Sequence, residues 1–270
     1  MGKVIGIISI KGGVGKTTLS ASLASDLANY HDKKVLLVDA NYSAPNVGLH
    51  MDIPSPVKTI HDVLAGKSRI MSAIHKRFGV DVIPGSYIYN KRLNFFKLKS
   101  RIDQIRDKYD FVIIDSSPAL NEEILSTMVA SDHLFVVTTP DYPTLAASLR
   151  AAILAKQRGR PISGLILNKI RDPDYELSLD EIEEATGIPV VAKIPDDGVS
   201  VKSVFTRIPI PVYDKKSKFA KEVNRLSHAL TNREETKSFW RTLFPLSLRR
   251  EEINRQILRD DFYNSIFKDE

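Results

Sequence analysis

The apolar positions of this 270-residue chain form short runs that alternate with segments of helical periodicity. Runs of roughly four to eight apolar residues, bounded by polar or turn residues, are typical of strands buried on both faces. The predicted strands cover residues 4–10, 35–39, 81–84, 111–115, 133–138, 161–168 and 190–194. Because strands that alternate with helices indicate crossover units, the pattern predicts an α/β fold. Its mostly parallel, twisted sheet is expected to be covered by helices on both faces.

A glycine-rich loop follows the first predicted strand and leads into a helical pattern that begins near Thr17. Its sequence, KGGVGKTT at residues 11–18, fits the phosphate-binding pattern GxxxxGK[ST] in a loose form. Glycines let backbone N–H groups converge on an anion, and the helix N-terminus adds partial positive charge. In such loops the lysine, here Lys16, bridges the terminal phosphates, and the Thr17 hydroxyl binds magnesium. The expected phosphate-binding residues are Gly12, Gly13, Val14, Gly15, Lys16, Thr17 and Thr18.

Two of the predicted strands end in an aspartate. Asp39 closes the run KKVLLVD, and Asp115 closes the run FVIID. Because the carboxyl ends of parallel strands meet at the ligand-binding edge of a sheet, both carboxylates are expected near the glycine-rich loop. There they can hold magnesium directly or through water, so the expected metal ligands are Thr17, Asp39 and Asp115. One strand that ends in aspartate is weak evidence for such a site, whereas two of them downstream of a phosphate loop are much stronger evidence.

Lys11, the first lysine of the loop, distinguishes this sequence from the general pattern. With it the loop resembles the deviant form K-G-G-x-G-K-[ST] of the MinD/ParA ATPases. The resemblance implies that the chain binds ATP and Mg²⁺ and forms a homodimer with ATP sandwiched between the subunits. It further implies that Lys11 reaches the nucleotide of the partner subunit, as an arginine finger does elsewhere. Without the resemblance, Lys11 could equally be a solvated loop charge.

The resemblance covers about residues 1–230 of the chain. Asn168, at the end of a predicted strand, matches the residue that hydrogen-bonds adenine in the family. Pro195 and Asp196 fall in a segment that matches the loop lining the base. Residues 59–66, TIHDVLAG, are similar to a segment common in the MinD branch. The resemblance therefore implies a complete ATP site and places the chain nearest to MinD-like proteins.

Asn41 is the main departure from the family pattern. The family usually carries D-x-D after this strand, and its second aspartate orients the attacking water, whereas this chain reads Asp39-Ala40-Asn41. Asparagine can hydrogen-bond a water but cannot accept its proton, and such help is typically worth ~10²–10⁴-fold in rate. Slow hydrolysis is expected, with Lys11, Lys16 and Asp115 as the other catalytic residues and the backbone around Ala119 positioning the water. A nearly hydrolysis-deficient scaffold is the alternative.

Cysteine is absent from the chain, which excludes disulfides, thiolate catalysis and cysteine-held iron–sulfur clusters. The six histidines show no metal-ligand spacing. No apolar run approaches the ~20 residues needed to span a bilayer, and the N-terminus lacks a signal-peptide pattern. The expected location is the cytoplasm, including peripheral attachment to the inner face of the cell membrane.

A basic region lies between residues 67 and 101. Nine positive charges against one negative charge, Asp81, give it a net charge of +8, which exceeds the +6 of the whole chain. Such a patch can bind DNA or an anionic lipid surface. A solvated face with aromatic residues in the core explains the same pattern equally well. The aromatic residues interleaved with the charges are Tyr87, Tyr89, Phe95 and Phe96.

The family resemblance ends near residue 232, which divides the chain into an ATPase domain, 1–232, and a C-terminal helical extension, 233–270. Residues 237–250 carry four cations and no acid, and MinD proteins have a membrane-targeting helix at this end. Pro245 shortens this helix, and residues 251–270 continue as a charged helix with an apolar row that favours protein contacts. An anionic membrane and a protein partner are therefore both predicted for residues 237–270, with packing on the domain as a third alternative. The aromatic and aliphatic residues expected on one face are Phe239, Trp240, Leu243 and Phe244.

Three functions are consistent with these patterns. The first is a MinD-like dimeric switch that binds ATP, hydrolyses it slowly and positions a division site or another membrane-associated assembly. The second is a ParA-like, DNA-associated partitioning ATPase, which the basic region favours. The third is a nucleotide-dependent scaffold, which Asn41 favours. Because residues 59–66 and the aromatic extension favour the first function, that function is the prediction.

Overall fold

The computed structural model describes residues 1–89, 92–118, 120–160, 162–171 and 176–231. Ala119 and the extension 233–270, for which water positioning and membrane or partner contacts are predicted, lie outside the described residues. Two residues of the basic region, Asn90 and Lys91, also lie outside them.

Eight strands form one sheet in the order β3-β4-β2-β5-β1-β6-β7-β8. The strands are β1 (Lys3–Ile8), β2 (Val35–Ala40), β3 (His75–Arg77), β4 (Val80–Ile83), β5 (Phe111–Ser116), β6 (His133–Thr138), β7 (Gly164–Ile170) and β8 (Val190–Pro195). All neighbouring strands are parallel except β3 and β4. The prediction of a mostly parallel α/β sheet is confirmed.

Helices connect successive strands, except for β3 and β4, which follow each other directly, and they cover the sheet. They are α1 (Lys16–Tyr30), α2 (Val47–His50), α3 (Ile60–Leu64), α4 (Lys97–Asp103), α5 (Glu122–Ala130), α6 (Tyr142–Gln157), α7 (Leu179–Thr186), α8 (Val199–Thr206), α9 (Ile210–Tyr213) and α10 (Lys218–Thr231). Two 3-10 helices cover Ile70–Ala73 and Arg106–Lys108. In the part of the chain that the structure describes, no helix is long and apolar enough to cross a membrane.

The predicted strands are all present, and two of them, β1 and β7, have ends shifted by two or more residues. β1 ends at Ile8 because Ser9 begins a turn, in which its hydroxyl donates to the Lys11 carbonyl at 2.9 Å and accepts from the Lys11 N–H at 3.2 Å. β7 begins at Gly164, later than predicted, and continues to Ile170. β3 has no counterpart in the prediction, since its residues are polar and lie at the sheet edge, where no apolar pattern is required.

Alternate residues of the central strands face two different apolar layers. Leu37 of β2 and Ile113 of β5 pack in the layer that contains α1 and α10. Leu36 and Val112 pack in the layer that contains α3 and α4. Because successive side chains of a strand point to opposite faces, a strand covered on both faces needs apolar residues at nearly every position. This explains the continuous apolar runs and leaves the polar chemistry to the carboxyl ends of the strands.

Candidate active site

The glycine-rich loop joins β1 to α1 at the carboxyl edge of the sheet. Gly13 and Gly15 have φ angles of +77° and +90°, in the left-handed region that non-glycine residues rarely adopt. Gly15 is also closely packed, since a Cβ there would lie 2.4 Å from Asn168 Nδ2. No described side chain caps the N-terminus of α1. The loop and the first helical turn therefore present backbone N–H groups to an anion.

Lys16, Thr17 and Asp115 meet at the start of α1. Lys16 is only 7% exposed, and burial lowers the pKa of its ammonium group while the Asp115 carboxylate acts in the opposite direction. Asp115 Oδ2 accepts from Thr17 Oγ1 at 2.7 Å, and Asp115 Oδ1 accepts from Ser20 Oγ at 3.1 Å. Burial raises the pKa of Asp115, while Lys16 and the two hydroxyls counteract this shift. The structure thus brings three of the predicted site residues together.

Asp39 lies beside Asp115 because β2 and β5 are neighbours and the two residues are paired in register. Its carboxylate accepts three backbone N–H groups, from Asn41 at 3.1 Å and from Asn46 and Val47 at 3.0 Å each. Burial raises the pKa of Asp39 well above its usual range, and the neighbouring Asp115 raises it further. Two buried carboxylates beside the Thr17 hydroxyl form the hard oxygen set that suits Mg²⁺, whose charge would offset their mutual repulsion.

The side chain of Asn41 folds back onto its own loop. Its Nδ2 donates to the Ala44 carbonyl at 2.6 Å, and the residue is 7% exposed. An amide oxygen can accept a hydrogen bond but does not take a proton in the neutral range. Asn41 therefore holds the loop after β2, and its Oδ1 and the second hydrogen of Nδ2 could serve the predicted contact with an attacking water.

Lys11 points to the start of α6 of its own chain. Its Nζ donates to Thr144 Oγ1 at 2.8 Å and lies 3.5 Å from Asp141 Oδ1. Asp141 also caps α6 by accepting from the Thr144 N–H at 2.9 Å. The ion pair with Asp141 lies at the surface, since the Lys11 side chain is 46% exposed, whereas Thr144 is buried. The contact with a partner subunit's nucleotide stays a prediction.

The residues expected around adenine lie at the carboxyl ends of β7 and β8. Asn168 is buried, and its Nδ2 donates to the Val14 carbonyl at 2.7 Å, so it supports the glycine-rich loop. Asp196 is exposed and pairs with Arg171 at 2.5 Å, while Pro195 is half-buried at the end of β8. The structure brings these residues to the same edge as the loop, and their contacts with adenine stay a prediction.

Two polar contacts at the site have no counterpart in the sequence prediction. Ser20 binds Asp115 one helical turn after Thr17, so its spacing on the same helix face could have indicated this role. Glu123 accepts from the Ser43 hydroxyl, although 80 positions separate the two residues. No local sequence signal connects such distant residues, and only the fold reveals the contact.

The basic region divides between surface and interior. Tyr89 has a buried hydroxyl, and Phe95 stacks on Tyr42 with ring centroids 4.8 Å apart. Tyr87 and Phe96 are instead 45% and 46% exposed. The interpretation as core aromatic residues therefore fits Tyr89 and Phe95, whereas the interpretation as a binding surface fits Tyr87 and Phe96.

A groove of about 410 Å³ is lined by four cations, namely Lys67, Arg69, Arg101 and Lys108.

The parallel sheet, the glycine-rich loop that opens α1 and the carboxylates at the ends of β2 and β5 define a P-loop NTPase fold. Residues 2–149 match a family model described as an AAA domain. An uncharacterized ATP-binding protein of Methanocaldococcus jannaschii is 33% identical over 217 residues, which cover 79% of this chain and 82% of that protein. The chain belongs to the MinD/ParA family of P-loop ATPases.

Two solved structures agree with this assignment. The Pyrococcus furiosus cell division ATPase MinD has a TM-score of 0.80 and 32% identity, and the match covers 84% of this chain and 98% of that one. The septum site-determining protein MinD of Pyrococcus horikoshii, complexed with Mg-ADP, has a TM-score of 0.80 and 30% identity. That match covers 84% of this chain and 95% of the other.

Proposed function

We propose that this chain is a MinD-like switch that binds ATP, dimerises around it and hydrolyses it slowly, and that the cycle positions a cellular structure. The observation that carries the proposal is the convergence of Lys16, Thr17, Asp39 and Asp115 on one edge of the sheet. The first lysine of the loop, Lys11, is what makes the switch dimeric in this proposal.

The phosphates of ATP lie on the backbone of residues 12–18, with Lys16 at the terminal phosphates. The uncapped start of α1 and the burial of Lys16 support this arrangement, because a cation is worth more to an anion in a site shielded from water. Thr17 and the two aspartates hold Mg²⁺, which neutralises phosphate charge when bound. The complex of the Pyrococcus horikoshii relative with Mg-ADP supports the use of an adenine nucleotide together with Mg²⁺.

Lys11 leaves its contacts at α6 when two ATP-loaded chains meet, and it then reaches the partner subunit's nucleotide. Its exposure supports this role, since the exposed ion pair with Asp141 contributes little free energy to the present position of Lys11. A cation that arrives only in the dimer makes hydrolysis depend on dimerisation.

Hydrolysis is slow in this proposal because Asn41 has no carboxylate and its Nδ2 is engaged with the Ala44 carbonyl. Phosphoryl transfer depends mainly on positioning and charge neutralisation, so turnover is reduced rather than abolished. A long-lived ATP dimer is what a positioning switch requires.

The switch acts from the cytoplasm or from the inner face of the membrane, and residues 237–270 contact an anionic membrane or a protein partner. The cell-division relatives with known structures support a positioning role. The groove of four cations within and beside the basic region favours a second candidate, ParA-like association with DNA. A salt-dependent gel shift that is lost in Lys67→Ala/Arg101→Ala would support this second candidate.

Light scattering of the purified protein with Mg-ATP and with Mg-ADP, in parallel with phosphate release, tests the main proposal. We expect a dimer with Mg-ATP only, slow phosphate release, and loss of both in Lys11→Ala. Lys156→Ala, which changes an exposed lysine at the other end of α6, serves as the matched control. A monomer in both nucleotides, or a Lys11→Ala variant that dimerises and turns over normally, would show that the dimeric switch is wrong.

A further inference from the structure

Glu123 is a buried acid at the start of α5, shortly after Asp115 on β5. The residue is only 3% exposed, and its Oε1 accepts from the Ser43 hydroxyl. Its backbone is held by the cap of α5, where Asn121 Oδ1 accepts from the Glu123 N–H at 3.0 Å. The contact with Ser43 therefore ties a fixed helix end to the loop that leaves β2.

The loop that Glu123 contacts is the one that carries the missing carboxylate. Ser43 lies two residues after Asn41, and Asn41 itself binds the carbonyl of Ala44 on the other side of Ser43. Asp39 holds both ends of this loop through the N–H groups of Asn41 and of residues 46 and 47. Ser43 and Asn41 therefore lie in one short loop whose two ends are both held by Asp39.

The second carboxylate oxygen of Glu123, Oε2, is buried and has no hydrogen-bond partner among the described residues. A buried acceptor without a hydrogen-bond partner destabilises a protein, so few proteins retain one. The position of this unpaired oxygen between the loops that follow β2 and β5 indicates a role that packing alone does not explain.

We propose that Glu123 is a positioning residue for ATP hydrolysis. Through Ser43 it holds the Asn41 loop against the start of α5, and its carboxylate supplies to this loop the negative charge that Asn41 lacks. When ATP is bound, Oε2 of Glu123 accepts a hydrogen bond from a donor in the nucleotide site. The inference rests on the proposed ATPase function.

Steady-state phosphate release by the full chain tests this role with Glu123→Gln, which keeps the shape but removes the charge. We expect kcat to fall on the order of tenfold, with the KM for ATP and the Kd for Mg-ADP within about twofold of wild type. Glu122→Gln is the matched control, because Glu122 is an exposed acid in the same helical turn. This control should leave kcat unchanged.

Two further variants separate positioning from a purely structural role. Asn41→Asp combined with Glu123→Gln returns a carboxylate to the same loop and should recover most of the lost kcat. Ser43→Ala should lower kcat in wild type but hardly lower it further in Glu123→Gln, because the two residues act through one contact. Since Ser43 is exposed, Ser43→Ala also tests the inference if Glu123→Gln does not fold.

An unchanged kcat in Glu123→Gln, or an equal fall in Glu122→Gln, would overturn the inference. So would a loss of kcat accompanied by weaker Mg-ADP binding and not recovered by Asn41→Asp, since that result describes a general structural defect. Wild-type turnover is measured first. If wild type binds Mg-ATP without releasing phosphate, the hydrolysis proposal itself fails. If wild type releases phosphate and Glu123→Gln does so at the same kcat, only the inference about Glu123 fails.

Discussion

Replacing Gly15 by alanine measures how closely the glycine-rich loop packs against β7. Its φ of +90° and the 2.4 Å distance from a built Cβ to Asn168 Nδ2 give two separate costs. The left-handed backbone costs alanine about 1–2 kcal/mol, and displacing the buried Asn168 hydrogen bond to the Val14 carbonyl costs about 1–3 kcal/mol. Alanine also lowers the conformational entropy of the unfolded chain, which stabilises the folded state by about 0.4–1 kcal/mol. The expected loss in the free energy of unfolding is therefore ~1–5 kcal/mol.

Two neighbouring glycines provide graded controls. Gly13 has a φ of +77° but no atom within 4 Å of a built Cβ, so Gly13→Ala should cost only the backbone term, about 1 kcal/mol. Gly12 has no left-handed φ, and the nearest atom, Pro118 Cβ, lies at 4.0 Å. Gly12→Ala should therefore change stability by less than ~0.5 kcal/mol.

Urea unfolding of the nucleotide-free protein, with the slope checked for constancy, gives the three values. The double variant Gly15→Ala/Asn168→Ala removes the clashing atom and should be less destabilised than the sum of the single variants. Equal losses at Gly13 and Gly15, or strict additivity in the double variant, would show that Gly15 does not pack against Asn168 in this way.

Three further predictions concern the carboxylates and the extension. Burial raises the folded pKa of Asp39, so the folded state holds a proton that the unfolded chain releases, and this group destabilises the protein increasingly as the pH rises above about 4. Relative to wild type, Asp39→Asn should therefore gain stability with rising pH in urea titrations, and a flat difference would contradict the shift. Asn41→Asp should raise phosphate release by up to ~10²-fold, whereas a decrease would mean that the amide itself is adapted to the reaction. Deleting residues 233–270 should abolish co-sedimentation with anionic liposomes in the presence of ATP, and undiminished binding would remove the membrane role of that segment.

The strand pattern predicted most of the sheet because its central strands are covered on both faces. β2 and β5 are fully buried, so they require continuous apolar runs, and such runs are recognisable in the sequence. β3 lies at the sheet edge with polar residues, so burial imposes no such pattern on it. The short helices α2 and α3 also lack a recognisable apolar pattern, since four or five residues are too few to show helical periodicity. The order of the strands, with β5 between β1 and β2, is not encoded in any local pattern.

The glycine-rich loop is recognisable in the sequence, because left-handed glycines, a lysine and a threonine at set spacing act within a few residues of one another. An aspartate at the carboxyl end of each of two apolar runs is recognisable as well. The tertiary structure, in contrast, makes Asp39 and Asp115 neighbours and buries both of them. It likewise decided the contact of Asn168 with the loop, across 154 positions, and that of Glu123 with Ser43. These contacts depend on strand order and on how helices pack across the sheet, and local propensity specifies neither of them.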